Sequence, residues 1–174
     1  MNDLPLHPKL VHLPMALAVL MPLVSGGVLF AILRSAVRPR AWILAIACQA
    51  LLFVTALCAQ RSGSADEERV ERAVPESAIE EHEEAAEVFV LGAGLVLGLS
   101  LLPLFLRSRG PRLLAQGLSV AGTVVVLGLG WKVGEAGGAL VYRHGAAQAF
   151  VEAARPGAPA AGTRSDHGDD DDDR

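Results

Sequence analysis

A chain of 174 residues that is 52% hydrophobic but only 5% aromatic, with a mean hydropathy of +0.40, holds more apolar material than a water-soluble domain of this length usually does. Its net charge is −4, and its basic residues sit in short loops without an aromatic-lined basic surface, which argues against nucleic-acid binding. It contains no glycine loop followed by Lys-Ser/Thr for phosphates, no nucleophile elbow and no cysteine pair at zinc spacing.

The first element is a short external lead-in, 1–10, in which Pro5 and Pro8 keep the chain extended. An apolar stretch over 11–33 follows, close to the roughly 20 residues that a spanning helix needs. Pro14 falls in its first turn, where a missing N–H costs nothing, and Pro22 lies inside it and is expected to kink it. No basic leader or small-residue cleavage site is visible, so this stretch reads as a permanent span. Arg34, Arg38 and Arg40 mark the next loop, and Trp42 anchors the second span, 41–59, at an interface. Cys48 and Cys58 both lie on that span, ten residues and about 15 Å apart, too far for a disulfide.

The segment 60–87 holds ten acids against three arginines and is expected as an acidic external loop. Its second half, from Pro75, is expected to form a helix that runs straight into the third span, 88–106. Arg107, Arg109 and Arg112 form another acid-free loop before the fourth span, 113–141. Gly92, Gly94 and Gly98 on span three, and Gly130, Gly134 and Gly138 on span four, allow close helix approach or leave room for a flat cofactor. The tail, 151–174, is rich in Pro, Gly and Asp and is expected to be disordered. The expected fold is all-α: a four-transmembrane-helix bundle, 1–150, in a bacterial cytoplasmic membrane. Its short arginine-rich loops would be inside and both termini outside.

Four of the five histidines then fall on one membrane face: His7 and His12 before span one, His82 before span three, and His144 after span four. Imidazole is the commonest metal ligand, so their convergence is the main clue to function. His82 shares a helix face with Ala78, Ile79, Ala85, Ala86 and Phe89, away from most of the neighbouring glutamates. His144 either ends span four, with Gly145 as a left-handed cap, or points into the bundle. Counting up from the inner ends of the spans, His12 and His82 reach similar heights, while His144 comes out about 10 Å higher. His167 belongs to the acidic tail. Lys132 and Glu135, three residues apart on span four, are close enough to pair and are expected near the head groups.

The runs HPKLVHLPMAL and GGALVYRHG resemble the motifs of a bacterial family of four-helix membrane proteins catalogued as a domain of unknown function. Such members begin with a His-Pro-x-x-Val-His-Phe-Pro-like motif and end with Tyr-Arg-His-Gly. His7, Pro8, Val11, His12 and Pro14 fall on the first motif, with Leu13 in place of Phe, and Tyr142, Arg143, His144 and Gly145 on the second. His82 matches a histidine that often precedes the third span. The similarity covers about 6–145. Some relatives look fused to Rieske-type iron–sulfur domains, which implies an electron-transfer setting.

Two cofactor expectations follow. In the first, a redox protein binds b-type haem through His12 and His144, with His82 an alternative ligand and Arg143 pairing with a propionate, and exchanges electrons with a quinone or a Rieske or cytochrome carrier. In the second, His7, His12, His82 and His144, with nearby glutamates, bind a zinc, copper or iron ion for sensing, storage or transport. A third expectation is purely structural: a small subunit packing through its glycine faces against a larger membrane complex.

Overall fold

The computed structural model describes residues 7–70 and 74–146, apart from the side chains of 64–70. Helix α1 (His7–Leu10) passes through Val11 into α2 (His12–Leu33). The Val11 N–H donates to the His7 carbonyl at 3.1 Å and the Met15 N–H to the Val11 carbonyl at 3.2 Å, so the two form one rod with a single irregular turn. The lead-in expected to stay extended to Leu10 is therefore helical from His7. Pro8 is compatible with this, because a first-turn residue needs no N–H and the proline ring already holds a helical φ.

A 3-10 turn (Pro39–Ala41) leads into α3 (Trp42–Val70), and α4 (Glu76–Phe105) and α5 (Arg109–Tyr142) follow. Within the acidic stretch 60–87 the helix expected from Pro75 is present, whereas 60–70, expected as loop, is helical too. Helix α3 carries on through 60–70, where Ala, Glu and Arg favour helix, and α4 starts directly after Pro75. The apolar stretches thus form four helices long and apolar enough to cross a membrane. The expected tail lies outside the described residues, as does His167.

Helix ends account for the loops. After α2, Ser35 takes a left-handed φ of 57°, and the Ala36 N–H returns to the Ala31 carbonyl at 2.9 Å. The Arg112 guanidinium donates to the Leu106 carbonyl at 2.8 and 3.0 Å and to the Arg107 carbonyl at 3.1 Å, so the α4–α5 loop is tied by one of its own arginines. Past α5, Gly145 has φ 73°, the left-handed cap expected there. It turns Ala146 back onto Val74 and Ile79.

Helices α2, α3, α4 and α5 run up, down, up, down and close into a ring. Each packs on its two neighbours in the ring, with α5 returning against α2, and the backbones of the diagonal pairs α2/α4 and α3/α5 stay more than 8 Å apart, Cα to Cα, among the described residues. Every helix turns a stripe with alternating steps of three and four inward. On α3 it reads Trp42, Ala45, Gln49, Leu52, Ala56, Ala59; on α4, Ile79, Phe89, Ala93, Val96, Ser100, Pro103 with half-buried His82 and Ala86 completing the steps. That repeat keeps the seam facing inward along a left-handed bundle.

The outward faces carry large apolar side chains such as Leu23 at 71% and Leu95 at 67% exposure, as lipid contact requires. Several polar groups on the stripes are tied to backbone, while the buried Oε1 atoms of Gln49 and Gln116 have no partner among the described residues. Trp42 Nε1–H donates to the Ser100 carbonyl at 3.0 Å and Gln49 Nε2–H to the Ala93 carbonyl at 3.0 Å, while Ser25, Ser100 and Ser119 bond carbonyls of their own helices. Cys48 and Cys58 are free thiols, as their spacing demands. Gly92 and Gly122 serve close packing, since a methyl added to either would lie 2.8 Å from Leu129 or 2.7 Å from Val96.

Candidate functional site

At the end of the bundle away from the arginine loops, the inward stripes place four residues in one layer. They are His7 from α1, Gly63 from α3, His82 from α4 and Gly137 from α5. The two histidines stand on one diagonal of the ring and the two glycines on the other. Their imidazoles meet across the bundle with ring centroids 6.2 Å apart and planes at 84°.

The glycines are what admit the rings. A methyl at Gly63 would lie 3.2 Å from His7 Cε1 and 3.3 Å from its Nδ1; a methyl at Gly137 would lie 3.2 Å from His82 Cε1 and 3.5 Å from its Nδ1. Any larger residue at either position would crowd the imidazole of the next helix.

Hydrogen bonding sets the state of His7. Its Nδ1 lies 2.9 Å from the Ala59 carbonyl and 3.1 Å from Ser62 Oγ. The Ser62 hydroxyl proton is already given to the Ala59 carbonyl at 2.7 Å, and a carbonyl only accepts. Nδ1 therefore carries the proton and donates, which leaves Nε2 with its lone pair in the neutral ring. His82 is different: its Nδ1 is buried and makes no well-formed hydrogen bond among the described residues, although the Val133 carbonyl interacts with the ring. A buried, unpaired ring nitrogen is costly unless something fills the role of partner.

Both rings line a cavity of about 650 Å³. Its walls are mainly apolar, with Val11, Met15, Ile79, Val133 and Leu140, and Glu83 and Glu87 contribute the carboxylates. Ala146, folded back by the Gly145 turn, also lines it. Size and lining are those of a small-molecule or cofactor site.

The other expected residues are elsewhere. His12 is exposed and lines neither this cavity nor the groove described below. It follows His7 by five residues, about 140° further round a helix, so one rod cannot aim both inward. His144 and Arg143 are exposed beyond α5 and line a second groove of about 770 Å³ on the outer side of the α4–α5 seam. His82 is level with Gly137, seven residues before His144, which leaves His144 about 10 Å further out, as the height count implies. The structure thus brings His7 and His82 together and does not bring His12 and His144 to them. Among the described residues, no three His, Cys, Asp or Glu side chains form a set that could hold a metal ion. Lys132 and Glu135 both line the outer groove and form no ion pair with each other among the described residues.

In the sequence His7 ranks below His12 because it falls on the lead-in rather than on the span. The signal that finds it is the register: His7, Val11, Pro14, Ala18, Met21 and Ser25 step by four and three, and the last four of these are buried. His12 breaks that register.

A family model described as a predicted membrane protein, DUF2231, matches residues 3–149, the whole bundle with both histidine motifs. No curated protein and no solved structure matches the chain.

Proposed function

For a chain that belongs to the DUF2231 family of predicted membrane proteins, we propose a redox-linked role in which a b-type haem is held between His7 and His82. The observation that carries this is the diagonal pair. With centroids 6.2 Å apart and the neutral His7 ring keeping the lone pair of its Nε2, the two imidazoles would hold the iron from facing helices.

Two protein ligands without a third suit a group that brings its own equatorial donors. The His82 Nδ1 without a well-formed hydrogen bond, the apolar cavity walls and the glycines on the other diagonal fit it too. Bound haem would supply one-electron storage, at a potential set by its ligands, their hydrogen bonds and burial. The chain's own part begins at His7, whose Nδ1–H bond to the Ala59 carbonyl would orient the ring. Met15, Ile79 and Leu140 would give the group apolar surroundings. The histidine layer lies opposite the arginine loops, and short arginine-rich loops stay in the cytoplasm, so in this reading the site and both termini face outward across a bacterial inner membrane. An external Rieske or cytochrome carrier, or a quinone in the bilayer, would be the redox partner.

A metal ion is the second reading; Glu83 and Glu87 line the same cavity but would have to move towards the rings to complete a ligand set. Absorption spectra of the purified protein separate the two. A Soret band with a reduced-minus-oxidised alpha band is expected, lost in His7→Ala and His82→Ala and kept in His12→Ala and His144→Ala. A blank spectrum after haem addition overturns the haem reading, and about one zinc, copper or iron per chain by elemental analysis would then establish the ion.

A further inference from the structure

The outer groove between α4 and α5 shares Gly138 and Tyr142 with the histidine cavity and differs from it in chemistry. Its floor is apolar, from Ala85, Val88 and Leu129. Along it stand three carboxylates, Glu81, Glu84 and Glu135, and three basic groups, Lys132, Arg143 and His144. All six are exposed, and among the described residues none of them pairs with another. Trp131, 69% exposed, precedes Lys132 on α5, and such a side chain settles where hydrocarbon meets head groups.

Charges of both signs, unpaired, above an apolar floor at the edge of a bilayer call for a ligand of the same make-up. We infer that this groove binds a zwitterionic phospholipid with a primary ammonium, a phosphatidylethanolamine, its acyl chain along Val88 and Leu129. The phosphate fits Lys132, which follows the Leu129 floor along α5 and precedes Glu135, since an ammonium is a natural donor to phosphate oxygens; Arg143 lies about 16 Å further along the helix. The ammonium fits Glu81, Glu84 and Glu135. Charge complementarity also selects against the alternatives. Three carboxylates against two permanent cations offer no net attraction to an anionic head group, and the quaternary ammonium of phosphatidylcholine has no N–H to give them.

The test uses the full chain in nanodiscs of phosphatidylethanolamine and phosphatidylglycerol at equal mole fraction, with brominated acyl chains on one lipid or the other. Trp131 precedes Lys132 and shares a helix face with Glu135, so its fluorescence reports the groove, while Trp42 is buried at 1% exposure and gives a constant background. Local enrichment of the ethanolamine lipid of about fivefold is expected, the sum of two or three interfacial ion pairs. Glu135→Gln with Lys132→Gln should reduce it towards one. Lipid extracted with the purified protein gives a second measurement that does not depend on the variants. Equal quenching by the two lipids, or preference for phosphatidylglycerol, overturns the inference, because a lipid that merely surrounds the bundle shows the first and a cationic patch the second. Neither readout involves haem, so failure here is distinguishable from failure of the proposed function.

Discussion

Gly137 and Gly138 are adjacent in α5, and they separate packing against His82 from every other consequence of a glycine replacement. A methyl at Gly137 lies 3.2 Å from His82 Cε1, inside ordinary carbon–carbon contact, which begins at about 3.5 Å. A methyl at Gly138 meets nothing within 4 Å. Both changes give α5 the same gain in helix propensity, up to about 1 kcal/mol. In Gly137→Ala the ring must move by about 0.3 Å to restore normal contact, away from α5 and towards His7. Disturbing a group that orients a ligand typically lowers metal affinity 10–100-fold, so a loss of about tenfold, or about 1.4 kcal/mol, is expected in Gly137→Ala and none in Gly138→Ala. Haem titration of the apoprotein in detergent, followed at the Soret band, measures it. Thermal melting by circular dichroism gives a ligand-free readout, in which Gly138→Ala should be the more stable of the two. Equal affinity and equal melting temperature in both variants would refute the packing argument.

Further expectations rest on other parts of the bundle. Ser35→Gly should stabilise the protein by about 0.5–1 kcal/mol, because φ 57° burdens a residue with a Cβ and not glycine; the melting midpoint reports it. Gly122→Ala should destabilise by about 1–3 kcal/mol, since its methyl would sit 2.7 Å from Val96, while Gly128→Ala, with open space around it, should not; a paired melting experiment distinguishes them. Trp42→Phe removes the donor to the Ser100 carbonyl in a buried site and should cost about 1–3 kcal/mol, read as a lower melting midpoint, with the haem spectrum unchanged.

The architecture was largely legible because the bilayer imposes it. Four apolar stretches of spanning length admit little but helices, and Pro75 and Gly145 mark a helix start and a helix cap in their ordinary roles. The site was legible only in part. Convergence on one end followed from alternating topology, and His82 was placed on the inward face by its alanine neighbours. The choice between His7 and His12 turned on a rotation of about 140° around one helix, which motif spacing does not reveal. The glycine ladder was visible but not its division of labour. Gly130 packs against Phe89 and Ala18, Gly134 against Met15, and Gly98 and Gly138 face open space. The glycine that seats His82 is Gly137, one residue off the ladder.

The alternation of imidazole and bare backbone around that layer makes the site the joint property of four segments. Moving His7 and His82 alone onto another scaffold would import two rings with nowhere to lie, since each rests on a gap furnished by a different helix. The smallest portable unit is the whole tier. A designer who wanted this geometry elsewhere would have to copy two absences along with two side chains.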